Sequence, residues 1–283
     1  MKNRKQKELA LNIVLFYIIG AIAIFFAIPF IYMILMSFMP TTNSIFDFEN
    51  LFTHLSEGVG FKNYIAAYET INMGLLFENT VIMVVSTMLI GITASILIAY
   101  GFSRFKNKYT NVFFVILLST MMIPWVVTMI PAYTEFNALN WIGTRLPLIV
   151  PWIGGSAFNV FMLKQFMDDI PYDLDEAAKI DGAGSLTILF KILLPQLKPC
   201  LATLMVYAFI NAWSDYVGPS IYLESSPELH TLSLGIQKFF SSTGNADWTQ
   251  VIAASVMFSI PMILVLTLAQ KAFVRGVVSS GIK

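Results

Sequence analysis

The chain has 283 residues, 57% of them hydrophobic and 12% charged, and its 17 Lys+Arg balance its 17 Asp+Glu. Soluble domains carry about 25% charged and about 45–50% apolar residues, and an uncharged soluble protein this poor in charge tends to associate. Composition therefore argues against a cytosolic enzyme, a disordered protein and a basic nucleic-acid binder, and no nucleic-acid partner is expected.

Along the chain, no Asp, Glu, Lys or Arg occurs in six stretches: 9–40, 79–103, 109–134, 146–163, 199–214 and 248–270. A membrane-spanning helix needs about 20 mostly apolar residues. The fifth stretch is short because Asp215 interrupts it, and 216–223 continues the apolar character. The pattern predicts an all-α membrane protein with six transmembrane helices and membrane lipid as its surroundings. Lys and Arg accumulate on the cytoplasmic side of membrane proteins. With the N-terminus inside, segments 1–8, 104–108, 164–198 and 271–283 hold fourteen cations, and the outer segments hold only Lys62, Arg145 and Lys238. Both termini are therefore expected in the cytoplasm.

The basic start is followed by an apolar run too long for a signal peptide, whose apolar region spans about 7–15 residues. The run ends in Met36-Ser37-Phe38-Met39 without an Ala-x-Ala site, which predicts an uncleaved first helix. A long acidic outer loop, 41–78, follows, and Phe77-Glu78-Asn79-Thr80 opens the second helix. Prolines at 29, 124, 131, 151 and 261 suggest bent helices around a space, since a membrane helix tolerates Pro where neighbours or a cavity satisfy the freed carbonyl.

The longest inner loop, 164–198, contains Ile170-Pro-Tyr-Asp-Leu-Asp-Glu-Ala-Ala-Lys-Ile-Asp-Gly-Ala-Gly-Ser185. Pro171 stops the preceding helix, Asp173 is placed to cap the next one, and Glu176 completes a capping-box spacing. Leu174, Ala177, Ala178 and Asp181 fall on one face. Gly182 and Gly184 end the helix in a tight turn, and a second, apolar helix runs to Pro195. The loop offers either a rigid helix projecting from the membrane or an amphipathic linker lying on the bilayer.

Cys200 reads as an apolar filler, and His54 and His230 have no ligand-like spacing, so no metal site is assigned. No nucleophile–base pair is visible, which leaves the catalytic set empty. Asp215, in Asn211-Ala-Trp-Ser-Asp-Tyr216, is the exceptional ionisable group within an apolar run, toward the outer end of the fifth helix, with an interfacial carboxylate reaching headgroup water as the competing reading. There is no carboxylate chain for a proton relay, no internal repeat and no phosphate-binding G-x-x-x-x-G-K-[ST] loop. Uphill transport would take its energy from another subunit.

The 164–198 loop resembles the Glu-Ala-Ala loop of the membrane subunits of bacterial ATP-binding-cassette importers. Glu176-Ala177-Ala178, Gly182, Ile192, Leu194 and Pro195 match that pattern at every position. Ile180-Asp181-Gly182-Ala183, the Phe77–Thr80 segment, Phe166 with Ile170-Pro171, and the tail Phe273-Val-Arg-Gly276 with Gly281-Ile-Lys283 are similar to carbohydrate-type permeases, notably the second permease of the maltose-type sugar importers. The resemblance implies a type I importer permease fold. It divides the chain into an N-terminal helix and outer loop (1–76), a permease domain (77–271) containing the coupling loop (167–198), and a cytoplasmic tail (272–283).

It also implies a heterodimer with a second permease in the bacterial cytoplasmic membrane, two copies of a cytoplasmic ATPase that bind ATP and Mg, and an external solute-binding protein. The chain itself would hold no cofactor and catalyse no reaction. Glu176, Ala177, Ala178, Asp181 and Gly182 would dock on the ATPase, with Ile192, Leu194 and Pro195 anchoring the loop. Gly244, Asn245 and Asp247, in the third outer loop, would touch the binding protein. Asn211, Trp213 and Tyr216 are candidates for the substrate path, with packing as the competing reading. The expected cargo is a sugar or oligosaccharide. The alternatives are glycerol phosphate or a polyol, or, in another class, a stand-alone channel or secondary carrier.

Overall fold

A computed structural model describes the backbone of residues 2–39, 60–241 and 248–280, and the side chains of 11–39, 60–239 and 248–270. All regular structure among them is helical. Contacts divide the chain into two units, 1–72 with 236–259 and 73–235 with 260–283.

In the first unit, α1 (Lys2–Ser37) carries Pro29 in its interior. Its most apolar stretch has no buried residue, as expected of a helix whose solvent is lipid. Its C-terminal end is fastened to α2 (Lys62–Thr70). The Asn63 amide donates to the carbonyls of Ser37 (2.9 Å) and Met39 (2.6 Å), which the helix end leaves without partners. Ser37 and Tyr64 share a hydroxyl hydrogen bond of 2.6 Å, and Phe38 packs on Phe61 and Tyr64.

The second unit is organised on α3 (Met73–Arg104), a 32-residue helix. Next come α4 (Thr110–Thr120) and α5 (Trp125–Ala138), which meet at 94°. Pro124 stands at the start of α5 in extended conformation, so the bend has an identifiable cause. The span Leu146–Asp168 begins irregularly and ends in α6 (Ala157–Asp168). α6 packs along α3 at small residues. Ser95 Oγ accepts from the Ser156 amide (3.0 Å), and a Cβ on Gly91 would meet the Trp152 ring at 3.0 Å.

After the short helix α7 (Asp173–Ile180), the segment Ser185–Gln196 contains a π-helical turn, Ile188–Leu193. α8 (Lys198–Ser214) leaves it at 83° and is followed by α9 (Val217–Tyr222). Ile92, Ile96, Ala99 and Tyr100 of α3, Val160, Leu163 and Met167 of α6, and Ile188, Leu189, Leu193 and Leu204 form one buried core. The last helix, α10 (Trp248–Ser280), contains Pro261.

Among the described residues, four helices, Leu11–Ser37, Met73–Arg104, Leu146–Asp168 and Trp248–Gln270, are long and apolar enough to cross a membrane, and there are up to six if each bent pair counts as one. The third expected span, 109–134, falls on a pair of helices bent at 94°, whereas the fifth, 199–214, coincides with the unbroken α8, and the 83° bend lies just before it. Gly244, Asn245, Asp247 and Gly281–Lys283 lie outside the described residues.

Candidate functional site

Two places in the second unit bring polar and small residues together. The first is the base of α3, where α7 is held.

α7 begins differently from its capping-box spacing. Tyr172 occupies the N-cap position, Asp173 is already helical, and no side chain caps the helix. The first turn still concentrates Asp173, Asp175 and Glu176 at the positive helix end. Asp175 is 1% exposed, and its Oδ2 accepts from Arg104 Nε, the last residue of α3, at 2.8 Å. The same guanidinium donates to Ser103 Oγ (3.1 Å) and to the Ile170 carbonyl (3.2 Å), and lies 5.7 Å from the Tyr172 ring. Ser103 Oγ in turn donates to Asp168 at the end of α6, whose other oxygen takes Lys164. Lys179 also sits over the Tyr172 ring, 5.1 Å from its centroid.

The far end of α7 closes on glycine. Gly182 has φ +81°, its amide bonds the Lys179 carbonyl (3.0 Å), and the Ala183 amide bonds the Ala178 carbonyl (2.9 Å). This pair of bonds is a Schellman motif. Its accompanying apolar contact is present, since Ala178 and Ala183 both pack on the main core. A Cβ at Gly182 would meet nothing within 4 Å, so that side of the turn is open.

The expected face of α7 is therefore divided. Ala178 turns inward with Asp175, whereas Leu174, Glu176, Ala177 and Asp181 are exposed. Ile180, quoted in the sequence only as part of the resemblance and not as a docking residue, is 87% exposed beside them. Its signal was its position three residues beyond Ala177. Ile192 and Leu194 are partly buried against the core, while Pro195 is exposed.

The second place is a cavity of about 770 Å³. Its walls include Met83, Thr87 and Met88 of α3, Trp125 and Phe136 of α5, and Trp152. Phe158 and Asn159 of α6, Tyr207 and Asn211 of α8, and Asp215, Tyr216 and Tyr222 complete it. Asn211 and Tyr216 of the expected substrate path are thus brought together. Trp213 is not among the lining residues. It is 2% exposed, stacks on Phe209 and meets Phe77 edge-on.

Asn159 was missed. It is 4% exposed and its side-chain oxygen has no hydrogen-bond partner among the described residues. No local pattern marks it, because an Asn in an apolar helix becomes informative only once a cavity is seen beside it. The Asp215 carboxylate receives the Gly218 amide (3.1 Å) at the start of α9, and a Cβ on Gly218 would lie 2.6 Å from Asp215 Oδ2. None of the lining side chains is Lys or Arg.

At the opposite end of α3 from Arg104, the Phe77–Thr80 segment fastens the 228–232 segment. The Asn79 amide donates to the carbonyls of Glu228 (2.8 Å) and His230 (3.0 Å), and its oxygen accepts from Arg145 (2.6 Å). Thr80 Oγ1 accepts from the Leu232 amide.

Apolar helices thus surround a weakly charged cavity, with a short acidic helix clamped at one end, an arrangement in keeping with a membrane transport component. Residues 91–279 match the family described as binding-protein-dependent transport system inner membrane component, and the chain belongs to that family. It is 36% identical over 208 residues, 73% of each chain, to the sn-glycerol-3-phosphate transport system permease protein UgpE of Yersinia pestis bv. Antiqua. It is 33% identical over 224 residues, 79% of each chain, to the galactooligosaccharides transport system permease protein GanQ of Bacillus subtilis. The arabinooligosaccharides permease AraQ of the same organism is 30% identical over 207 residues, 73% of each chain. A chain of the bacterial ABC transporter that imports the acidic polysaccharide alginate superposes with a TM-score of 0.77 over 93% of this chain and 96% of its own, at 24% identity. That likeness speaks for the fold.

Proposed function

We propose that the chain is one of two permease subunits of an importer for a neutral sugar or oligosaccharide. An external binding protein delivers the cargo, and a pair of cytoplasmic ATPases drives its release inward. The observation that carries the cargo class is the lining of the cavity, which combines Trp125, Phe136, Trp152, Tyr207, Tyr216 and Tyr222 with Asn159, Asn211 and Thr87. Aromatic faces with a few neutral hydrogen-bonding groups suit sugar rings. With no cation and one carboxylate, Asp215, the lining disfavours an anion in a low-dielectric space.

The glycerol-phosphate relative supports a second cargo reading, and it conflicts with that charge pattern. The two oligosaccharide relatives agree with it. A stand-alone channel or secondary carrier would leave α7 and its glycine turn without a role.

In this reading α7 docks on the ATPase through Leu174, Glu176, Ala177, Ile180 and Asp181, with Gly182 fixing its projection and Ala178 holding it from behind. Both termini and the 164–198 loop face the cytoplasm. Two clusters support that placement. Arg104, Lys164, Asp168 and Asp175 come from two segments expected inside, and Asn79, Arg145 and Glu228 meet at the other end of α3.

The reconstituted complex tests the proposal. ATP hydrolysis should rise with a binding protein loaded with neutral oligosaccharide, and labelled oligosaccharide should accumulate in vesicles. Uptake of glycerol phosphate in preference to every neutral sugar tried would overturn the cargo class.

A further inference from the structure

We propose that the Arg104–Asp175 ion pair is the link that carries motion of α7 into the cavity walls, with Arg104 as a positioning residue for coupling. The inference rests on the reading of α7 as the ATPase-docking helix. Both side chains are nearly inaccessible, at 6% and 2% exposure. One carboxylate oxygen of Asp175, Oδ1, is buried with no hydrogen-bond partner among the described residues. A buried pair that is only half satisfied is a poor source of stability, because apolar residues of similar volume do as well or better. What the pair supplies is direction.

The Arg104 fork holds three points at fixed geometry: the α7 carboxylate, the Ile170 carbonyl just before α7, and Ser103 Oγ. Ser103 passes the connection to Asp168 at the end of α6. The two helices joined this way, α3 and α6, are the ones that carry Met83, Thr87, Phe158 and Asn159 into the cavity. A displacement of α7 is therefore delivered to two cavity walls at once. Ala178 alone, one methyl against the core, would let the helix slide. A bidentate-capable guanidinium resists sliding where an ammonium or an apolar contact would not.

The link predicts that α7 and the base of α3 move as one body. In the assembled complex, spin labels at Lys106→Cys and Asp173→Cys should keep one distance distribution in the nucleotide-free and ATP-trapped states. Both positions are exposed, and the chain's own Cys200 is buried. A nucleotide-dependent change in that distance in the otherwise unaltered protein would overturn the proposal.

The second arm removes the pair without stranding a charge. Arg104→Met combined with Asp175→Leu should assemble with the ATPase in parental amounts and keep basal hydrolysis. Stimulation by loaded binding protein should fall about tenfold, within the roughly 5–150-fold span of couplings between sites, and the label distribution should broaden. Parental stimulation in this double variant would show a merely structural pair and sink the link. Should the double variant fail to assemble, the distance measurement in the unaltered protein decides. Ala177→Arg separates the two readings. If it retains parental ATPase recruitment, the docking assignment fails. If it loses recruitment while the double variant keeps parental stimulation, only the link fails.

Discussion

At the residue scale, the two glycines of the 164–198 loop look alike in sequence and differ in the structure. Gly182 has φ +81°, whereas Gly184 precedes the next helix at φ −74°, ψ 163°, which any residue adopts. Only the first is required by its backbone. An alanine at Gly182 has space around it, so steric crowding is not the cost. The left-handed conformation costs an L-residue about 1–2 kcal/mol, enough to favour unwinding the last turn of α7 and releasing the Ala178–Ala183 bond. Gly182→Ala should therefore weaken ATPase co-purification several-fold, and Gly184→Ala should leave it unchanged. Gly182→Asp adds bulk and charge on the open side, and should leave the chain in the membrane with uptake abolished. Normal uptake and normal ATPase recruitment in Gly182→Asp would remove Gly182 from the docking element. Asp175 teaches the converse. It drew no reading of its own in the sequence, and nothing local reveals a partner 71 residues away.

At the element scale, α3 acts as the strut to which other segments are fastened at both ends. Its end away from Arg104 depends on one close approach. A Cβ built on Gly235 would lie 2.1 Å from Leu76 Cδ1 and 3.2 Å from its Cγ, and Leu76 is 1% exposed with nowhere to turn. Overpacking of this kind costs typically 1–3 kcal/mol. Gly235→Ala should lower thermal stability of the purified complex by that amount and loosen the neighbouring Asn79 and Thr80 bonds to residues 228–232. Because the clash is with one side chain, Leu76→Ala should rescue Gly235→Ala in part, giving a strongly non-additive pair in a double-mutant cycle. Simple additivity would show that the close approach is not what limits this position. The Phe77–Thr80 segment was legible only as a resemblance; the structure supplies its physical content, a carboxamide and a hydroxyl pinning residues 228–232.

At the scale of the whole molecule, apolar run length made the straight spans legible, because the bilayer requires it. The bent pairs were less so. Prolines suggested bends, but only the chain path distinguishes a kink within a span from the 94° and 83° turns observed. The cavity was legible in part. Asn211 and Tyr216 line it, whereas Trp213 belongs to the packing, since an aromatic in an apolar helix reads the same facing a core or a void. Charge asymmetry remains the sequence's statement about orientation, and it can be tested directly. Ile180 and Ser225 are both exposed and lie at the two ends expected inside and outside. In intact cells, a membrane-impermeant thiol reagent should modify Ser225→Cys and leave Ile180→Cys untouched until the membrane is permeabilised. The native Cys200, at 3% exposure, supplies little background. Fourteen cations against three make the opposite topology costly under the positive-inside rule. Labelling of Ile180→Cys from outside would place α7 on the wrong face for a cytoplasmic ATPase, and would overturn the docking assignment together with the orientation.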